Sequence, residues 1–275
     1  MRRYLKIEDI VMGIGHKYVF DDLGDIDSGT VRQNEVAYIE EDGSVFADTY
    51  YEPRVFTVSG TILADSYEEM IALKNNLTKK CRPKDKLQIH YCNGVKTYYA
   101  EAETQRLPQF FTRLKNLLPF QIDIRIPEFY WMSENEEINN IFETEKRLTN
   151  STAFPAVFSV RKSESIITND GDANAWPHIT ILCETPNQSN ISVINATTGN
   201  SFILQYAMCK GERIEIDMKN KTVISDLTGN LINKVDRMNA FWAYEQGANK
   251  IICNADGRYA SIYIVSRHRT LYAGV

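Results

Sequence analysis

From Ala156 to its end the chain offers no stretch with the length and period of a helix. Instead, short alternating runs follow one another: AVFSV, SIIT, PHITILC, ISVINA, SFILQYAMC, RIEIDM, TVIS, FWAY, KIICNA and SIYIVSR. Asn, Gly and Asp punctuate them, so the backbone reverses every roughly eight to twelve residues, as an antiparallel two-sheet module requires. No repeat of fixed length accompanies the runs. The pattern predicts a β-sandwich, and no catalytic cluster sits within it.

A chain of 275 residues exceeds what one core usually serves. Two domains of roughly 120 to 150 residues each are expected. In the first, YLKIEDIVM and HKYVF read as strands joined by the turn at Gly13 and Gly15, and RVFTVSGTIL, Arg54 to Leu63, alternates as a strand. Ser66 with Glu69 forms a capping box opening a helix over about 66–80, with Tyr67, Met70, Leu73 and Leu77 on one face. Glu68 lies early and Lys79 and Lys80 late, in the sense the helix dipole favours. KLQIHYC and VKTYYAEAET read as a hairpin around Asn93 and Gly94, a pair that favours a two-residue type I′ turn. A further strand, Gln121 to Ile126, ends at Pro127 and the aromatic cluster Phe129, Tyr130 and Trp131. The segment 21–52 is acidic, with Arg32 its one base, and reads as an excursion from the sheet, a hairpin arm. The stretch 132–152, rich in Glu and Asn, reads as the linker between a domain 1–131 and a domain 153–275.

Charge and cysteine usage narrow the function classes. A net charge of −5 offers no basic stripe for phosphate, so a nucleic-acid partner is not expected. The five cysteines, Cys81, Cys92, Cys183, Cys209 and Cys253, lack CxxC spacing and are odd in number, so they read as buried reduced thiols. The opening MRRYLKIEDIVMGIG has no apolar run for a signal peptide or membrane helix, which points to synthesis in a reducing cytoplasm. On that reading the N-x-S/T sites at Asn150, Asn187, Asn190, Asn195 and Asn220 mark turns.

The candidate chemistry is thin. His16, His90, His178 and His268 are scattered and fit no metal motif. Asp170, Asp172 and Asn174 imitate the opening of a calcium loop, but Ile181 stands where the bidentate acid is needed. The acidic run Glu134, Glu136, Glu137, Glu143 and Glu145 reads as solvated charge rather than a hydrolase pair. GIG at Gly13 is no dinucleotide loop, and no GxSxG occurs. Trp176, Trp242, Tyr244 and Tyr259 would form a sugar-stacking set if exposed, although the alternation of FWAY points the Trp242 ring into a core.

In their order, VSGTILADSYEEMIALKNNLTKKCRPKDKLQIHY, then IPEFYW, NDGDANAWPHITI, NATTGNSFIL, GERIEID, VISDLTGN and QGANKII resemble the distal tail protein (Dit) family of siphovirus-type phages and prophages of Gram-positive bacteria. The resemblance covers nearly the whole chain. It implies a mainly β protein with a minor α part: an N-terminal β-sandwich or split-barrel-like domain with one helix, then a C-terminal galectin-like β-sandwich. It also implies a homohexameric ring in the virion, joining the tail tube to a tail-associated lysin or tip protein around a channel for tape measure and DNA. A receptor-binding protein is a further partner on this reading. No catalytic residue, cofactor, metal or membrane is implied. The final RTLYAGV belongs either to the sandwich or back in the first domain. The chain lacks the clustered His, Asn, Arg, Trp and Glu of sugar-binding galectins, so the shape does not carry that activity. The rival reading is a carbohydrate-binding accessory tail protein.

Overall fold

The computed structural model describes residues 2–37, 44–146, 159–162, 164–184, 189–236, 240–256 and 262–275. The chain divides into two units, Met1–Glu134 with Tyr272–Val275, and Asn135–Leu271.

The first unit contains β1 (Tyr4–Ile7), β2 (Ile10–Gly13), β3 (Tyr18–Asp22), β4 (Val31–Ala37), β5 (Ser44–Tyr51), β6 (Arg54–Leu63), α1 (Tyr67–Lys80), β7 (Leu87–Cys92), β8 (Thr97–Thr104), β9 (Gln109–Phe110), β10 (Leu117–Ile126) and β11 (Trp131–Ser133). The main sheet runs β8-β7-β1-β2-β3-β6-β10, and β10 pairs again with β8 at Ile124↔Thr104 and Arg125↔Glu103. The split-barrel plan therefore closes into a barrel of seven strands. Small barrels are filled by side chains. Here Leu5, Ile7, Met12, Val58, Ile62, Ile89, Phe120, Ile122 and Ile124 are buried in one cluster, each contributing about 1.5–3 kcal/mol on burial.

The helix forms where its caps predict. The Ser66 side chain accepts from the Glu69 N–H at 3.1 Å, and the Glu69 carboxylate reaches back to the Asp65 N–H at 2.6 Å, one residue beyond the usual capping-box partner. Met70 and Leu77 are buried and Leu73 packs against the cluster. Tyr67, expected on that face, instead points outward at 55% exposure, with the Arg113 guanidinium 4.8 Å from its ring centroid. The Asn-Gly hairpin is also longer than expected. Cys92 pairs with Thr97, and the Asn93 carbonyl group of the side chain accepts from the N–H groups of Val95 and Lys96, both at 3.0 Å, fastening a four-residue loop.

The second unit contains β12 (Glu137–Lys146), β13 (Ser159–Lys162), β14 (Glu164–Asn169), β15 (His178–Cys183), β16 (Ser189–Asn195), β17 (Asn200–Leu204), β18 (Arg213–Asp217), β19 (Thr222–Ser225), β20 (Gly229–Asn230), β21 (Gly247–Asp256) and β22 (Ile262–His268). One sheet is ordered β13-β12-β22-β15-β18-β19-β20 and the other β14-β21-β16-β17. Their inward residues, among them Phe142, Ile181, Ile216, Val193, Phe202 and Ile251, share one core, which makes a sandwich. Two expectations are corrected here. The stretch expected as linker holds the end of β11 and then β12, which pairs along β22, while residues 147–152 lie outside the described part. A bulge at Asn140/Phe142 turns the adjacent Ile141 and Phe142 both into the core, so the strand hides its apolar signal in two residues. FWAY is no strand. Only Tyr244 bridges, to Ala175.

The last strand, β23 (Leu271–Tyr272), pairs beside β11 at the edge of the first unit's sheet. RTLYAGV is divided between the two placements open to it, Arg269–Leu271 staying with the second unit and Tyr272–Val275 returning to the first. Among the described residues no helix is long and apolar enough to cross a membrane.

Candidate functional site

The residues that carry the family resemblance in the second unit are fastened into turns rather than presented to a ligand. Asn169 is buried, donates to the carbonyls of Ala173 at 2.9 Å and Tyr244 at 3.3 Å, and accepts from the Gly171 N–H. Asn195 accepts from the N–H groups of Thr197 and Thr198, closing the β16–β17 turn, and its amide donates to Asn249 Oδ1 at 3.4 Å. Asn249 in turn grips the carbonyls of Glu245 and Gly247 at 2.8 and 3.0 Å. Buried amides satisfied in this way hold irregular backbone in place, because each replaces the sheet hydrogen bonds that a turn lacks. Glu212 and Asp217 act likewise. The Glu212 carboxylate collects four donors, and Asp217 accepts from the N–H groups of Lys219 and Asn220.

The other candidates do not converge. Trp242 and Tyr244 are buried, Trp176 is 37% exposed, and Tyr259 lies outside the described residues, so no stacking platform is assembled among those described. Asp170, Asp172 and Asn174 sit in the turn closed by the Asp172 N–H to the Leu271 carbonyl at 2.7 Å. Among the described residues no three His, Cys, Asp or Glu are placed to hold a metal. Of the cysteines, Cys81, Cys92, Cys183 and Cys253 are buried, whereas Cys209 is exposed because it lies in the connection between β17 and β18. Burial pushes the thiols of Cys81 and Cys253 up to about 12. The acidic run is not simply solvated: Glu134, Glu136 and Glu137 lie 3.6, 3.8 and 3.6 Å from His90, Arg269 and His268. The side chains of Glu143 and Glu145 lie outside the described part.

His268 carries a pH dependence. Its ring is buried edge-on to Tyr244 at 5.0 Å, and neither ring nitrogen has a hydrogen-bond partner among the described residues. Burial holds its pKa below the usual 6.5, and Glu137 only partly offsets this. A folded-state pKa below the unfolded one means that the stability contribution is complete above pH 6.5 and is lost as pH falls through the folded value. The melting temperature of the second unit is therefore expected to fall by a few degrees between about pH 7.5 and 5.5. His268→Phe, which keeps the ring without its proton, should flatten that slope in calorimetry; an unchanged slope would exclude His268 as its source.

In the first unit two surface features stand out. β4 and β5 pair only with each other, with Asn34 donating to the Tyr50 hydroxyl at 2.6 Å. Residues 38–43 at the tip of this arm are not among those described. The arm's root is tightly built. Tyr51 stacks on Phe129 at 4.1 Å with planes 12° apart, and a Cβ on Gly29 would stand 2.1 Å from that ring, so only glycine fits there. Tyr67 and Ile71 of α1, Phe111, Leu114 and Leu117 of the β9–β10 hairpin and Leu63 at the end of β6 are exposed apolar residues, Leu63 pairing directly with Leu117. At the C-terminal end of α1 lies a groove of about 640 Å³ lined by Lys79, Arg82, Lys84, Asp85 and Leu107.

The first unit is thus a closed barrel bearing one capped helix and a two-stranded arm, and the second is a two-sheet sandwich. Residues 170–265 match the family model described as siphovirus-type tail component, C-terminal domain. The crystal structure of the Dit protein of phage SPP1, described as a paradigm of hub adsorption apparatus in phages infecting Gram-positive bacteria, has the same fold. Its TM-score is 0.70 at 8% identity over 98% of this chain and 99% of that one. A chain of the phage P2 baseplate in its activated conformation with calcium matches with a TM-score of 0.55 at 13% identity, over all of both chains. No curated protein sequence matches the chain. Over residues 170–265 the chain is thus similar to the siphovirus-type tail component family, and its fold is that of the SPP1 Dit protein.

Proposed function

We propose that this chain is a non-enzymatic structural hub of the tail tip. Six copies would close into a ring between the tail tube and a tail-associated lysin or tip protein, around a channel for tape measure and DNA, with a receptor-binding protein as a further partner. The observation that carries the assembly is the arm. A two-stranded hairpin is at best marginally stable alone, and this one finds no further strand to pair with among the described residues of its own chain. The same unit carries a surface that suits it: the arm is acidic, and the groove at the end of α1 is lined by Lys79, Arg82 and Lys84 against the single acid Asp85. A patch that complements a different patch on the same molecule makes a head-to-tail contact, which closes into a ring when the rotation allows. The fold shared with a protein described as a hub supports the same reading.

Light scattering after size exclusion, with negative-stain imaging, tests this. The full chain is expected to form six-fold rings, and replacing residues 31–50 by a short Gly-Ser link should abolish them while leaving the second unit's melting temperature unchanged. Rings that persist without the hairpin would remove the arm from the interface; a monomer at every concentration would remove the ring. Cell-wall hydrolysis by the purified protein would overturn the non-enzymatic assignment.

A further inference from the structure

Arg54 opens β6 as an ordinary strand residue by sequence, yet its side chain is buried and forms no ion pair among the described residues. Burial lowers its pKa and Asp27 acts in the opposite sense. The charge is met by main-chain carbonyls instead. Nη1 donates to Ile26 at 2.7 Å and Ser28 at 2.9 Å, Nε donates to Phe129 at 3.1 Å, and Nη2 donates to Ala273. The Phe129 ring lies 4.5 Å from the guanidinium. Ile26 and Ser28 lead into the arm, and Phe129 stacks on Tyr51 where the arm returns. Ala273 belongs to the segment that follows the sandwich and rejoins the barrel. There Tyr272 meets Tyr98 edge-on at 5.3 Å and accepts from Lys96 Nζ, and Val275 packs against the first core.

We propose that Arg54 is a positioning residue that couples the seat of the returning segment 272–275 to the order of the arm's root. A guanidinium is a rigid planar fork, so its two Nη atoms cannot be re-aimed independently. If the Ala273 carbonyl leaves, the buried Nη2 must seek another acceptor, and the rotation that finds one draws Nη1 off Ile26 and Ser28. The converse holds equally: a root displaced from Nη1 and from the Phe129 ring turns the fork away from Ala273. Such linkage is reciprocal by thermodynamic necessity. Because Tyr272 follows the last residue of the sandwich unit directly, any partner that draws this segment from its seat would loosen the arm. The proposal stands on contacts within the first unit and does not require the ring.

Hydrogen exchange followed by mass spectrometry on the full chain tests it. Deleting residues 273–275, and separately Arg54→Lys, should each speed exchange at amides 24–30 and 50–52 by about fivefold or more, the lower range of measurable coupling. Val275→Ala removes apolar packing but keeps the Ala273 carbonyl, and should leave those amides unchanged. Tyr51→Ala, at an exposed site of the root, should speed exchange at 272–275. Equal arm-root exchange in the deletion and in Val275→Ala would overturn the proposal, as would no response of 272–275 to Tyr51→Ala. A uniform rise that includes β7 and β8 would also overturn it, since that reports general opening of the barrel.

Discussion

Gly60→Ala is expected to destabilise the barrel unit by ~3 kcal/mol, the upper range for forcing a methyl group into a filled site. Gly60 sits mid-way along β6, opposite Phe20 of β3 on one side and Phe120 of β10 on the other. A Cβ there would lie 2.4 Å from the Val19 carbonyl oxygen, 3.0 Å from the Phe20 Cα and 2.9 Å from the Phe120 Cζ. Two of those three atoms are backbone, so no rotamer change relieves the clash and β3 must separate from β6. The gain from a less flexible unfolded chain, about 0.4–1 kcal/mol, is too small to offset it. Calorimetry should show the barrel's transition about 10 °C lower, with the sandwich transition retained. A loss below about 2 °C would mean that the barrel breathes at this seam far more than close-packed interiors do.

The second large effect is expected at Glu212, a fully buried carboxylate. Its oxygens accept from the Ser225 hydroxyl at 2.5 Å, the Cys209 N–H at 2.7 Å, the Tyr206 hydroxyl at 3.1 Å and the Thr228 hydroxyl at 3.4 Å. One side chain thus ties the β17–β18 connection to the β19–β20 turn. Glu212→Ala leaves a buried N–H and at least one hydroxyl without acceptors and opens a cavity, at a cost of about 3 kcal/mol. Glu212→Gln keeps the volume and one oxygen but sets an NH₂ group against the Cys209 N–H or the hydroxyls, for about half that loss. Denaturant melts of the sandwich should rank wild type above Gln above Ala. If Gln and Ala lose equally, the volume and the remaining carbonyl oxygen contribute nothing, and the negative charge alone organises the site.

Much of this architecture is legible in the chain because it is local. Ser66 and Glu69 mark the start of α1 by chemistry that acts within four residues, and the alternation of RVFTVSGTIL survives intact in β6. The family's Asn, Gly and Asp positions read correctly as turns, and Asn169, Asn195 and Asn249 show why: each amide replaces hydrogen bonds that the turning backbone cannot make for itself. What escapes the sequence is non-local. The seam of β10 with β8 that closes the barrel rests on two residue pairs, and no local period announces it. β12 hides behind acids because, among its described side chains, Ile141 and Phe142 at the bulge are the two that are buried. FWAY alternates like a strand, but Tyr244 is spent on a single bridge and a hydroxyl contact with Ser266 at 2.7 Å. Arg54 looks like any strand terminus, since its four acceptors come from segments that the sequence places far away.

The return of β23 to the edge beside β11 has a consequence for how the molecule is made. A ribosome delivers the first unit's strands β1 to β11 well before residues 272–275, with the whole sandwich emerging in between. Until Tyr272 arrives, β11 presents an open edge and Arg54 lacks one of its carbonyls. The sandwich is a continuous stretch that can complete itself as it emerges, whereas the edge of the first unit must wait for residues that follow the sandwich. The edge beside β11 and the last acceptor of Arg54 are thus supplied only after the whole second unit has been made.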